Sequence, residues 1–332
     1  MTAADAAPDL DAAAARAVLF RDLHQPGAPL LMPNPWDAGS ARVLASLGFA
    51  ALATTSSGFA ATLGRMDGNV TLDEALAHAA VIAAATDRPV SADFENAFAD
   101  EPAQVAVNIS RAAATGLAGC SIEDFTGHDD EPIYDIGPAA ERVAAAVEAA
   151  HAGPARLVLT ARAENYLYGR ADLADTISRL QAYQAVGADV LYAPGLTNLI
   201  DIRQLVSAVD RPVNVLAMPG TPPVSELAEA GVSRVSVGGA LAFAALGALV
   251  DAATELRDQG SYGYLASSAN GRRALKGVVL GGQRRLRRAA GSRCPRLCAS
   301  GPLGRGARWL RPRPRCCGLP RRSRPNPEGS RR

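Results

Sequence analysis

The sequence predicts an α/β chain folded as one (β/α)8 TIM barrel, and three observations predict it. Apolar runs of strand length alternate with Ala-rich helical patterns eight times over about 240 residues. Three of those runs, PVSADFEN, LAGCSIED and LVLTARAE, end in acid or guanidinium, as barrel strands do where their last residues reach a catalytic rim. The helical stretches also carry start signals: Thr71 with Glu74 forms a capping box, and Gly137-Pro138 opens AAERVAAAVEAA.

In chain order, residues 10–22 place Leu10, Ala14, Val18 and Leu19 at helical spacing, an extra helix expected to plug the barrel bottom. Strands are expected within PLLMPNPWD, FAALATTSS, PVSADFEN, LAGCSIED, LVLTARAE, DVLYAPG, PVNVLAM and VSRVSVGG, each followed by an amphipathic helix. This divides the chain into an N-terminal helical extension (1–24), a catalytic barrel (25–265) and a basic low-complexity tail (266–332).

Charge separates barrel from tail. Residues 1–265 hold 15 Arg, no Lys and 32 acids, a formal charge of −17; residues 266–332 hold 18 Arg and one Lys against Glu328, giving +18. The net charge of +1 is therefore a cancellation. A barrel without lysine excludes Schiff-base and pyridoxal-phosphate chemistry unless Lys276 of the tail is recruited. The tail is rich in Gly, Pro and Arg and carries Cys294, Cys298, Cys316 and Cys317 at spacings unlike zinc sites. Its composition best fits a GC-rich gene read in the wrong frame, then plain disorder, ahead of nucleic-acid binding, for which no interleaved aromatics are present. No run reaches the length of a membrane helix and the N-terminus lacks a basic signal region, so a cytoplasmic protein without membrane partners is expected. Cys120 reads as a small buried hydrophobe.

The chemistry is expected at the rim. Asp93, Glu95, Glu123, Asp124, Arg162 and Glu164 end the third, fourth and fifth runs. Carboxylates converging beside one guanidinium raise one another's pKa unless a divalent cation sits among them, and Mg²⁺ prefers such oxygens. Taken singly, Asp93 or Glu95 reads as a helix cap, Arg162 as a structural ion pair, and Ser56 and Ser57 as turn residues; as a set they read as a site. His24, His78 and His151 are expected on solvated surfaces, Asp124 as a support for the fourth loop, and Tyr166 and Tyr168 at the mouth.

Asn34-Pro35-Trp36-Asp37-Ala38-Gly39-Ser40, Thr54-Thr55-Ser56-Ser57-Gly58-Phe59, Gly64-Arg65-Met66-Asp67, Asp93-Phe94-Glu95, Ile122-Glu123-Asp124 and Thr160-Ala161-Arg162 follow one another in this order. Over about residues 25–262 the pattern resembles the isocitrate lyase and phosphoenolpyruvate mutase superfamily. The resemblance implies a Mg²⁺-dependent enzyme, Mn²⁺ being an alternative, that makes or breaks a C–C or P–C bond in a small 2-oxo acid or its adduct through an enolate-like species. It implies substrate carboxylate binding by Ser56, Ser57 and Gly58, Asp67 as a catalytic carboxylate near the metal, and Asp93, Glu95 and Glu123 as the metal-holding set. Arg162 is implied to bind substrate and stabilise the oxyanion, Asn214 to contact the distal substrate, and the chain to form a homo-oligomer that exchanges its last barrel helix.

Two departures qualify the resemblance. The lyase segment with a proton-delivering cysteine is replaced by Glu123-Asp124-Phe125-Thr126-Gly127-His128-Asp129-Asp130, in which His128 reads equally as a substitute general acid or as a solvated loop residue. Tyr192-Ala193-Pro194-Gly195 lacks the acid common in the lyases. Both favour oxaloacetate decarboxylation, oxaloacetate hydrolysis or phosphonopyruvate-type chemistry over isocitrate or 2-methylisocitrate cleavage. Family-like sequence stops after Tyr264, which puts the oligomer in question. The competing readings are a non-catalytic barrel with a nucleic-acid-binding tail, and a zinc-dependent class II aldolase, for which clustered histidines are missing.

Overall fold

Eight short parallel strands form the centre of the computed structural model, which describes residues 10–128, 130–153 and 155–291, with side chains through residue 278. They are β1 (Leu30–Met32), β2 (Leu52–Ala53), β3 (Val90–Ala92), β4 (Gly119–Glu123), β5 (Val158–Arg162), β6 (Val190–Tyr192), β7 (Val213–Leu216) and β8 (Arg234–Ser236). Each falls inside one of the eight predicted runs. The ladder runs β1-β8-β7-β6-β5-β4-β3-β2. Its seam is joined by the Ala53 N–H donating to the Pro33 carbonyl at 3.1 Å.

Asn34 secures that seam on both sides. Its amide donates to the Thr54 carbonyl at 2.7 Å, and its side-chain oxygen accepts from the Val237 N–H at 3.0 Å. A buried strand end must satisfy its backbone groups, and one asparagine does so for both neighbouring strands.

The crossovers are α2 (Ala38–Ser46), α3 (Ser56–Thr62), α4 (Leu72–Ala85), α5 (Pro102–Ala113), α6 (Ile136–His151), α7 (Leu173–Ala185), α8 (Leu199–Ser207), α9 (Val224–Glu229) and α10 (Ala240–Gln259). Asp37 caps α2 in a capping box with Ser40, and Thr71 with Glu74 caps α4 as predicted. The main core lies between strands and helices and includes Leu52, Ile82, Ile109, Ile122, Leu159 and Leu180.

The predicted N-terminal helix is α1 (Leu10–Asp22), but it presents a different face. Val18 and Leu19 are exposed, whereas Ala13, Ala17 and Phe20 are buried. Small alanines let the helix approach closely while Phe20 alone enters the bottom cluster with Leu30, Met32, Val158 and Val190. Gly119 makes the room: a Cβ there would lie 2.7 Å from the Val158 carbonyl oxygen and 2.8 Å from the Phe20 ring.

Beyond α10 the chain turns through left-handed Gly260 and forms α11 (Leu265–Gly291). Helix thus extends into the segment assigned to the tail, where Arg, Leu and Ala are good helix formers. The four tail cysteines lie outside the described residues. The described residues up to Arg284 belong to one compact unit. No helix among the described residues is long and apolar enough to cross a membrane.

Phe20→Ala is expected to lower the unfolding free energy by about 3–5 kcal/mol, read from urea unfolding; a loss below about 1 kcal/mol would show that α1 does not plug the barrel.

Candidate active site

Arg162, the last residue of β5, is clasped by three carboxylates. Its Nη1 lies 2.7 Å from both Asp93 and Glu123, and its Nε 2.7 Å from Glu164. The ring of Tyr192 faces the guanidinium at 5.0 Å. Parallel register makes this row: Glu123 pairs with Arg162 and Arg162 with Tyr192 across adjacent strands. Burial by itself would lower the pKa of Arg162, but Glu123, Glu164 and Asp93 hold it well above its usual value.

Asp93 follows β3 and is doubly anchored. Its second oxygen accepts from both the N–H and the hydroxyl of Ser56 at 3.0 Å, while its own N–H donates to the Thr54 hydroxyl at 2.9 Å. Two residues on, the backbone becomes strained. Glu95, Ala97 and Phe98 have φ of 46°, 61° and 54°, in the left-handed region that costs such residues energy. Arg142 of α6 holds the loop, donating to the carbonyls of Asn96 at 2.6 Å, Ala99 at 2.7 Å and Asp100 at 3.1 Å, and also to that of Glu123 at 3.1 Å. Asn108 adds a bond to the Ala97 carbonyl at 2.9 Å.

Negative charge exceeds what Arg162 neutralises. Burial, then Asp93 and Asp67, push Glu95 up to about 8. Burial also raises Glu123 well above the usual carboxylate range, with Arg162 opposing and Glu164, Asp93 and Glu95 adding to the rise. These groups open on a cavity of about 420 Å³, which Asp67, Ser56, Ser57 and Tyr168 also line. Among the described residues, no three acidic, His or Cys side chains stand together at ligand spacing. Of the three acids expected around a metal, Asp93 and Glu123 pair with the guanidinium, and Glu95 lines the same cavity. The donor chemistry nevertheless fits a hard divalent cation, since carboxylate oxygens with excess negative charge face one cavity.

The match to the phosphoenolpyruvate phosphomutase family model spans residues 20–257, all eight strands included. The chain belongs to this family. A solved structure of a candidate lyase/mutase from Burkholderia cenocepacia J2315 is 52% identical, with TM-score 0.78, over 80% of this chain and 96% of that one. 2,3-Dimethylmalate lyase, a PEP mutase/isocitrate lyase superfamily member, is 27% identical with TM-score 0.73 over 83% of this chain and 99% of its own. Oxaloacetate decarboxylase of Chromohalobacter salexigens is 30% identical over 249 residues, 72% of this chain and 84% of that protein.

Within this family frame, the cavity gathers Arg162, Asp67, Asp93, Glu95, Glu123, Ser56 and Ser57. Gly58 is not among its lining residues. Its N–H donates to the Thr55 hydroxyl at 3.2 Å to cap α3, and a Cβ there would lie 2.5 Å from Thr55 Cγ2 and 3.2 Å from the Cβ of Ala242, so glycine serves close packing against its own cap and α10. Asn214 also stands back: it accepts from Arg234 at 2.9 Å and donates to Ser236 at 3.0 Å. His128 lines a separate open depression with Asp100, Thr126 and Tyr134. An antiparallel bridge between Phe125 and Ile133, with Thr126 bonded to Glu131 and Pro132, shapes the loop this way, which corrects the expectation of His128 as general acid in this conformation.

Asp124 supports the loop as expected, accepting from the Glu164 N–H at 2.8 Å, Arg179 at 3.2 Å and the Tyr183 hydroxyl at 2.6 Å. The three histidines expected in solvent are all engaged: His78 stacks on Phe59, His151 pairs with Asp189, and His24 is buried. His24 Nδ1 lies 2.8 Å from the Phe20 carbonyl, to which it donates, leaving Nε2 to accept from Arg234 at 3.3 Å. The sequence reading missed Arg142 and Arg234. Their signal was an arginine inside an otherwise apolar pattern, AAERVAAAVEAA and VSRVSVGG.

Burial and Arg234 lower the pKa of His24 from 6.5 to about 3. Below pH 6.5 the unfolded chain binds a proton that the folded one refuses, so stability is lost as pH falls toward 3. His24→Gln is expected to flatten this acid loss, by up to about 1.4 kcal/mol per pH unit between pH 6 and 5 in urea unfolding. Equal acid loss in variant and parent would contradict a neutral His24.

Proposed function

We propose that the chain is a Mg²⁺-dependent enzyme that breaks a bond beside the carbonyl of a small 2-oxo acid through an enolate-like species, with oxaloacetate decarboxylation favoured. The observation that carries this is Arg162 held by Asp93, Glu123 and Glu164 at the wall of one cavity. Asp93, with Glu95 and Glu123, would hold Mg²⁺, which when bound supplies a Lewis acid for the substrate's 2-oxo group.

The chain's own residues complete the reading. Arg162 stays charged and in a fixed orientation, a preorganised donor for an oxygen that gains charge as the bond breaks. Ser56 ties Asp93 in place and, with Ser57, offers hydroxyls to a carboxylate. Phe125 stacked on Tyr168 at 4.3 Å covers part of the cavity wall and limits water. Decarboxylation suits this cavity because loss of CO₂ leaves an enolate that water can protonate. Cleaving a hydroxylated adduct also needs a base for the hydroxyl proton, and His128 is not placed to help. The similarity to oxaloacetate decarboxylase supports the same choice.

Release of pyruvate from oxaloacetate, methylisocitrate and phosphonopyruvate, and of glyoxylate from isocitrate, should be measured with Mg²⁺, alongside metal-only blanks and Asp93→Ala. The expected result is turnover of oxaloacetate that falls at least about 10³-fold in the variant. No release from any of the four by folded protein would sink the proposal.

A homo-oligomer belongs to the same reading. Of α10 only Ala242 is buried, while Phe243, Leu246, Leu249 and Val250 are exposed, and such an apolar face calls for a partner. Sedimentation should show a multimer that Leu249→Asp with Val250→Asp dissociates; a monomeric parent chain would refute this.

A further inference from the structure

The inner faces of barrel strands ordinarily interlock branched apolar side chains. Here the cavity reaches polar inward positions instead: Ser91, Ser121, Tyr192, Ser236 and Arg234. Arg234, on β8, is only 3% exposed, yet no carboxylate pairs with it among the described residues. Its three hydrogen-bond partners are neutral: the Asn214 side-chain oxygen at 2.9 Å, the Thr160 hydroxyl at 3.2 Å and His24 at 3.3 Å. All three use Nε or Nη1, and Nη2 has no acceptor among the described residues.

A buried guanidinium without a counter-charge is costly, and protein interiors retain such groups where an anion completes them. Core filling alone does not account for it, because a cation is a poor filler where an apolar side chain would fit. Arg162 is already occupied by three carboxylates. The cavity thus holds one cation paired with carboxylates near its acidic wall and, deeper within the barrel, one without a counter-charge among the described residues.

We propose that Arg234 is a second anion-binding position of this cavity and receives a carboxylate at the far end of the substrate, which selects dianionic over monoanionic acids. Asn214 then acts as a positioning residue, fixing the guanidinium plane through its bond to Nε. The proposal rests on the cavity being the substrate site, and deepens that reading by naming the charge the substrate carries.

The test measures binding rather than turnover, so its result is independent of which reaction the enzyme performs. Calorimetry on the full chain with Mg²⁺ would compare oxalate, malonate, succinate and glutarate with monocarboxylates of equal length. Wild type is expected to gain affinity from the second carboxylate at one or more lengths beyond oxalate. Arg234→Met is expected to lose that gain, roughly 10–150-fold for a charged hydrogen bond, with monocarboxylate affinity changed by less than about threefold. Arg234→Lys should restore part of it. A wild type with no dianion preference at any length overturns the proposal even if the variants fail to fold. So does a preference that persists in folded Arg234→Met, or an equal loss for both classes of acid. Absence of turnover alongside the expected binding pattern would sink the decarboxylase reading and leave the anion position standing.

Discussion

The site depends on a single guanidinium bound to three carboxylates. Removing one partner of a buried ion pair costs roughly 3–5 kcal/mol because it strands the other charge, and Arg162 has three such partners, supplied from β3, β4 and the end of β5. Strand register becomes a chemical requirement. A one-residue slip of β4 against β5 would turn Glu123 to the opposite face and leave Arg162 facing Ile122 or Asp124. The barrel and the charge cluster therefore specify each other, since the row Glu123, Arg162, Tyr192 exists only in the observed register.

A second set of contacts holds that cluster from outside. Arg142 binds carbonyls of both the β3 and β4 loops, so the strained turn carrying Glu95 and the strand end carrying Glu123 share one anchor. Asp124 does the same for the β5 loop by gripping the Glu164 N–H while Arg179 and Tyr183 satisfy its other oxygen. Left-handed backbone at three non-glycine residues is tolerable only where contacts of this kind over-determine it. The energy stored there keeps an acidic group poised without a partner of its own, which is the condition under which a carboxylate is free to meet a cation.

Strands and rim were legible in the sequence because three of the apolar runs stop at charged residues, and strand period plus run length leave little choice about which end meets the cavity. Caps were legible for the same local reason: Thr71 and Glu74 act within one turn. The misses all involve choices that tertiary packing makes. Spacing alone gave α1 an apolar stripe through Val18 and Leu19, but the bottom of the barrel accepts one large side chain, and Gly119 admits Phe20. Loop sequence gave no sign that Phe125 and Ile133 would pair and carry His128 to another depression. Asn214 was placed on the right strand, yet whether it or its neighbour Arg234 meets the cavity depends on side-chain length across two strands, which no pattern along one strand records.

The lysine-free barrel has a physical sense beyond excluding imine chemistry. A lysine buried as deeply as Arg234 would shed its proton near neutral pH, because desolvation shifts ammonium groups by several pH units. Burial, with Arg162 nearby, pulls Arg234 down only to about 10, which leaves it charged at neutral pH. Arg162 gains the opposite way, its charge reinforced by the carboxylates around it. The delocalised guanidinium is the one basic side chain able to keep two positive charges inside a single cavity, one compensated and one not. Arginine at both positions thus keeps these two positive charges constant across the range in which 2-oxo acids are fully ionised.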